Sequence, residues 1–213
     1  MNKYTALIIG MAMIIPAQAM AAANWTSWTS SDNATIANGT IGSINVTYTG
    51  STFGIDYNSY IYDVPASFTS GAITNTPGNN GTILMTGGTG GAINNFHFSA
   101  PVVNPVMDLF SVGQTGMPVR FDFLGASFSI LSQGPGHWAG GSLTQSGSVV
   151  TGLEGNGLIQ FYGTFTDIPF TTPDYEYYYG ATVGVVPEPE TYAMLLAGLG
   201  LLGIAARRRK QNA

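Results

Sequence analysis

Cysteine is absent from this chain, and charge is scarce: only 8% of its 213 residues are Asp, Glu, Lys or Arg. The first absence excludes a disulfide framework and any thiolate metal site. The second is lopsided. Of six cations, Lys3, Arg207, Arg208, Arg209 and Lys210 sit near the ends, so Arg120 is the one Lys or Arg between residues 24 and 186. Nine carboxylates share that stretch, and one cation against nine acids leaves −8. A body with a single cation cannot neutralise a run of phosphates, which argues against nucleic acid as a partner, and charge alone would hold an anionic polysaccharide poorly. Neutral sugars, cations such as Ca²⁺ and other protein copies fit better. Also missing are a helical period of useful length, a fixed repeat, a G-x-S-x-G elbow and an H-E-x-x-H pair, which speaks against a solenoid and against the common hydrolase sites.

What is present begins with the two ends. Lys3 precedes an apolar run from Tyr4 to Ile15, Pro16 interrupts it, and three small-x-small triplets follow, ending at Ala19, Ala21 and Ala23. This reads as a secretory signal peptide over residues 1–23, cut somewhere from 19 to 23, and so delivered through the Sec export machinery. At the other end Pro187, Glu188 and Pro189 form a turn that neither proline lets a strand continue through. A fifteen-residue apolar run from Tyr192 to Ala206 follows, then Arg207, Arg208, Arg209 and Lys210. The run is shorter than the ~20 residues that cross a bilayer core, yet it is apolar on all faces, unlike a helix that buries one stripe. Its basic end should stay cytoplasmic, acting as a stop and placing the body outside.

This tail resembles the PEP-CTERM sorting signal of exported proteins in Gram-negative bacteria. The resemblance covers about residues 187–213, with Pro187, Glu188 and Pro189 matching the motif. It implies an exosortase, a membrane cysteine protease, as processing partner, a transient stay in the inner membrane, and then release to the cell surface or extracellular matrix. Segments around 104–107, 128–138, 154–161 and 176–184 look like a recurring β-rich ectodomain of such proteins, which carries no assigned chemistry.

The body from 24 to 186 is rich in Gly, Thr, Ser and Asn, with short β-branched and aromatic runs between turns. That pattern predicts an all-β fold, a single β-sandwich of jelly-roll type. Apolar and polar residues alternate at Ile44 to Tyr48, at Phe53, Ile55 and Tyr57, and at Val119, Phe121 and Phe123, where Arg120 and Asp122 share the polar face and are close enough to pair. The stretch Leu158 to Ile168 reads as one strand, with Ile159, Phe161 and Phe165 inward. Asn75 to Gly81, Gly87 to Gly91 and Gly134 to Gly136 read as loops, and Asn24 to Thr52 as an edge or mobile region.

Two histidines are available. His97, in the aromatic run Phe96-His97-Phe98, reads as packed; His137, beside Trp138 in a Gly-rich loop, reads as a loop contact with a weaker claim to ligand binding. The richest stretch is Asp174-Tyr175-Glu176-Tyr177-Tyr178-Tyr179. Tyrosine faces stack on the C–H faces of sugars, and flanking acids accept hydroxyl bonds or hold Ca²⁺. Two residues apart on an extended segment, Asp174 and Glu176 would share a face, which is also the minimum for a glycosidase pair. Ordinary cross-strand packing of the tyrosines is the stronger reading. The expectation is therefore a non-enzymatic surface or biofilm-matrix protein without a cofactor or metal site. The alternative is a carbohydrate-binding module using Trp138, Tyr175, Tyr177 and Tyr179, with Asp174 and Glu176 as acceptors.

Overall fold

Alternating burial marks the strands of one sheet of this molecule, and near-continuous burial the inner strands of the other. A computed structural model describes residues 20–138, 140–187 and 198–199. The predicted leader up to residue 19, Glu188, Pro189, most of the apolar run and the four terminal cations lie outside the described residues. No helix among those described is long and apolar enough to cross a membrane.

The strands run β1 (Asn24–Trp25), β2 (Ser27–Ser31), β3 (Ile36–Ile41), β4 (Ile44–Thr49), β5 (Gly54–Asp56), β6 (Thr82–Met85), β7 (Ile93–Val103) and β8 (Val106–Val112). They continue as β9 (Val119–Asp122), β10 (Phe128–Gly134), β11 (Leu143–Ser146), β12 (Val149–Gly152), β13 (Gly155–Phe161), β14 (Thr164–Thr171) and β15 (Tyr179–Val185). The strands form two antiparallel sheets. The smaller has the order β10-β13-β8-β15-β6-β5, with β1 also on β15; the larger has β11-β12-β9-β14-β7-β4-β3-β2. One buried cluster takes Ile83, Met107, Leu109, Ile159, Ala181 and Val183 from the first sheet and Val46, Phe96, Phe98, Phe121, Ile168 and Phe170 from the second. That shared core makes the two sheets a β-sandwich. Its centre is aromatic: Phe96 and Phe121 each stack on Phe170, and Tyr179 meets Phe121 edge-on at 5.0 Å.

Several expectations change here. Leu158 to Ile168 is not one strand. The chain turns at Gly163, whose φ is +125°, a region that L side chains disfavour. It leaves β13 in the smaller sheet and enters β14 in the larger. Both faces of β13 are covered, because the segment from 59 to 75 and the strap at 20–25 pack on the outer side of the smaller sheet. Val106 and Leu158 join Ala23, Trp25 and Ile73 there, while Phe110 joins Ile61, Tyr62 and Phe68. His97 is not packed: Phe96 and Phe98 point inward, and His97 pairs across strands with Asp167 at 2.9 Å on the exposed face. Arg120 passes over Asp122 and forks onto Asp174, with Nε to Oδ2 at 2.7 Å and Nη2 to Oδ1 at 2.8 Å. The N-terminal region supplies the outermost strand β2 of the larger sheet, as an edge reading expects.

One group is out of keeping with its surroundings. Asp108 of β8 is 1% exposed, between its cross-strand partners Leu158 and Thr182, and neither carboxyl oxygen has a hydrogen-bond partner. Burial pushes its pKa well above the usual carboxylate value.

Candidate ligand-binding face

Three loops meet on the outer face of the smaller sheet, near the end where β15 begins. The first follows β5 and carries Tyr57, Asn58 and the 3-10 turn Ser59–Tyr62. The second follows β10 and carries His137 and Trp138. The third joins β14 to β15 and carries Asp174 to Tyr178. Phe110 of β8 lies beneath them.

Each loop is fixed by short polar contacts. Ser67 Oγ donates to the Pro135 carbonyl at 2.7 Å, and His137 Nδ1 lies 2.7 Å from Asp63 Oδ2, the loop contact expected of that histidine. The third loop is held from both sides: the Gly87 and Gly88 N–H groups donate to the Glu176 and Thr172 carbonyls, each at 2.9 Å, and Arg120 grips Asp174. Glu176 is itself buried, and its Oε1 accepts from Gln114 Nε2 at 2.8 Å.

The rings then form a continuous strip. Tyr177 stacks on Phe53 at 6.3 Å, Phe53 meets Tyr178 at 5.6 Å, Tyr178 meets Trp138 at 4.7 Å, and Trp138 continues to Tyr60 and His137. Trp138 rests on Phe110 at 5.2 Å and keeps half its surface in solvent, while Tyr177 is 67% exposed. Such a strip presents apolar ring faces with polar edges, the combination that takes up flat amphipathic molecules.

Asp56 organises the polar edge. Tyr60 Oη donates to its Oδ2 at 2.6 Å and Tyr178 Oη to the same atom at 3.3 Å, while the Asn58 N–H and side-chain amide donate to Oδ1. Partial burial pushes this carboxyl up, but the donors outweigh it and hold it below the usual range, so it stays ionised at neutral pH. Burial raises the Tyr178 hydroxyl well above its ordinary value, so it remains a donor.

The structure thus brings together Trp138 and Tyr177, which lie 39 positions apart in the chain, and separates the other expected site residues. Tyr179 is fully buried in the core and cannot face a ligand. Tyr175 is exposed, but over Gly88, and it makes no ring contact with the strip among those described. Asp174 and Glu176 do not share a face, because their loop is not extended: one carboxylate is committed to Arg120 and the other is buried against Gln114. Their carboxylates are turned to separate partners rather than to one shared face. No group of three or more His, Asp or Glu among the described residues is placed to hold a metal. Tyr178 lies within the stretch that the sequence marks without being singled out there, and Phe53, Tyr60 and Asp56 lie outside it. The run Asp56-Tyr57-Asn58-Ser59-Tyr60, polar and aromatic together, was the available signal.

Gly87 tests whether the third loop must sit where it does. A Cβ there would run into the Asp174 carbonyl oxygen, backbone that cannot swing aside. Gly87→Ala is expected to destabilise by about 1–3 kcal/mol and to weaken ligand retention without removing any ring. Urea unfolding alongside a binding assay checks both. An unchanged midpoint would show that the loop is not clamped there.

The body is thus a two-sheet β-sandwich with an aromatic strip near the start of β15 and Asn24 paired with Val185 at that strand's other end. Residues 185–210 match the family model of the PEP-CTERM protein-sorting motif, beginning at the last residue of β15. The chain therefore carries the signal of an exosortase-sorted, exported protein with a membrane-anchored precursor. No curated protein and no solved structure matches the chain.

Proposed function

We propose that the protein is a non-enzymatic component of the cell surface or extracellular matrix, working without a cofactor. Once exosortase has released it, it holds neutral extracellular polysaccharide on the strip Tyr177, Phe53, Tyr178, Trp138 and Tyr60. The observation that carries this reading is the contiguity of those rings: three separate loops, each pinned by its own polar contacts, converge on one half-exposed aromatic surface edged by an ionised Asp56. Charge narrows the ligand. The only Lys or Arg between residues 24 and 186, Arg120, is consumed by Asp174, so nothing near the strip is free to attract an anionic polymer, and Asp56 and Asp63 would repel one.

Sedimentation of the exported protein with insoluble neutral glucans or mannans, against anionic alginate, tests the reading. Retention on a neutral polymer and none on alginate is expected. No retention on any polymer leaves a purely structural matrix protein, and preference for alginate contradicts the charge argument.

The sorting half has its own readout. Replacing Pro187, Glu188 and Pro189 together by alanine is expected to leave a full-length, membrane-associated precursor in an exosortase-containing host, seen as a larger band in the membrane fraction. Normal release of the variant would show that these residues are not what the protease reads.

A further inference from the structure

The leader offers three small-x-small sites, ending at Ala19, Ala21 and Ala23, and the triplet rule does not choose among them. The fold distinguishes them, because the strap after Ala19 is built into the domain. Ala21 bridges Ile73: its N–H donates to the Ala72 carbonyl at 2.9 Å, and its carbonyl accepts from the Thr74 N–H at 3.2 Å. Ala23 is 4% exposed and is clasped by one side-chain amide. Its N–H donates to Asn75 Oδ1 at 2.7 Å, and Asn75 Nδ2 donates back to its carbonyl at 3.0 Å. Trp25 closes the clasp by donating from Nε1 to the Asn75 carbonyl at 3.1 Å. Ala23 and Trp25 pack with Ile73, Val106 and Leu158, and Val186 packs against the same cluster. Met20, by contrast, is 71% exposed.

From these contacts we infer that the mature protein begins at Met20, the leader being cut at the Ala19–Met20 bond. A cut after Ala21 removes the residue that bridges to Ile73 and strands the Ala72 carbonyl and Thr74 N–H. A cut after Ala23 strips the Asn75 side chain of both its bonds to Ala23, takes Ala23 out of the Trp25 cluster, and puts a new ammonium at Asn24, directly across from Val185 in the sheet. A part-buried side-chain amide left without its hydrogen bonds and a charge at a sheet position are both costly. A cut after Ala19 keeps every strap contact and leaves the ammonium in water.

This inference rests on the reading of residues 1–23 as a cleaved leader, and the experiment separates the two. The full chain is expressed in a Gram-negative host, and the exported protein is analysed by N-terminal sequencing and intact mass. A start at Met20 is expected. A start at Ala22 or Asn24 overturns the inference while keeping the leader, whereas a start at Met1 removes the leader itself. Ala19→Leu blocks the first site and spoils the second, whose triplet also begins at Ala19. Processing of that variant should fail or move to Asn24, and the Asn24 form should melt several degrees below the wild type. Unchanged processing at Met20, or an equal melting temperature, counts against it.

Discussion

Trp138→Ala is expected to lower the affinity for neutral polysaccharide by roughly 30-fold or more, the scale for losing a central aromatic anchor worth about 2 kcal/mol. Trp138 is the node of the strip: it touches Tyr178, Tyr60, His137 and Phe110, so its removal breaks the ring contact between Tyr177, Phe53 and Tyr178 on one side and Tyr60 and His137 on the other. Tyr177→Ala should have a smaller effect, since Tyr177 is the terminal ring. Tyr162→Ala is the control. That tyrosine is 47% exposed but lies on the turn between β13 and β14, away from the three loops. Affinity electrophoresis in gels containing the polymer reads all three. Equal losses in the Tyr162 and Trp138 variants, or no loss in either, would remove the strip from the account.

Asp108→Val is expected to stabilise the domain at neutral pH by about 1–3 kcal/mol, the scale for relieving a buried polar group without a partner. In a domain of this size that is roughly 2–10 °C in Tm. The sign follows from where protons bind. Burial raises the folded-state pKa of Asp108 above its ordinary value of 3.8, so between those two values the folded form carries the proton that the unfolded form has lost. Stability then falls as pH rises through that window. Asp56 and Asp174, both held low, contribute a slope of the opposite sign, and only in acid below about 4. The His97–Asp167 and His137–Asp63 pairs are common to wild type and variant, so it is the difference in slope between the two proteins from pH 5 to 8 that belongs to Asp108. Thermal melts at pH 5 and pH 8 should show the wild type losing more stability than Asp108→Val. A destabilised variant, or parallel behaviour of the two proteins, contradicts this.

How far the sequence revealed this differs between fold and site. Period-two alternation at Ile44 to Tyr48 and Val119 to Phe123 located real strands because each buries one face. It failed at Leu158 to Ile168, where a second layer over the smaller sheet hides both faces of β13, and where the turn at Gly163 leaves the apolar spacing undisturbed. At the site, Trp138 and Tyr177 were legible as exposed aromatics next to turn residues. Tyr179 was not separable from Tyr177, since period two gives the same face to both and only the start of β15 divides loop from core. Asp174 and Glu176 failed for a related reason: their shared face assumed an extended backbone, and their partners, Arg120 and Gln114, lie 54 and 62 residues away. Contacts at that separation leave no local spacing to read.

The pairing of Asn24 with Val185 puts both entry and exit of the body at one pole of β15. Tyr177 and Tyr178 precede its other end, about 20 Å away at the usual strand rise. A precursor still tethered by its tail would thus hold its rings out toward the surroundings, like a hand on a short arm. On the proposed function, capture of a polymer would not have to wait for scission, and the protease that severs the tether would discharge a carrier already loaded.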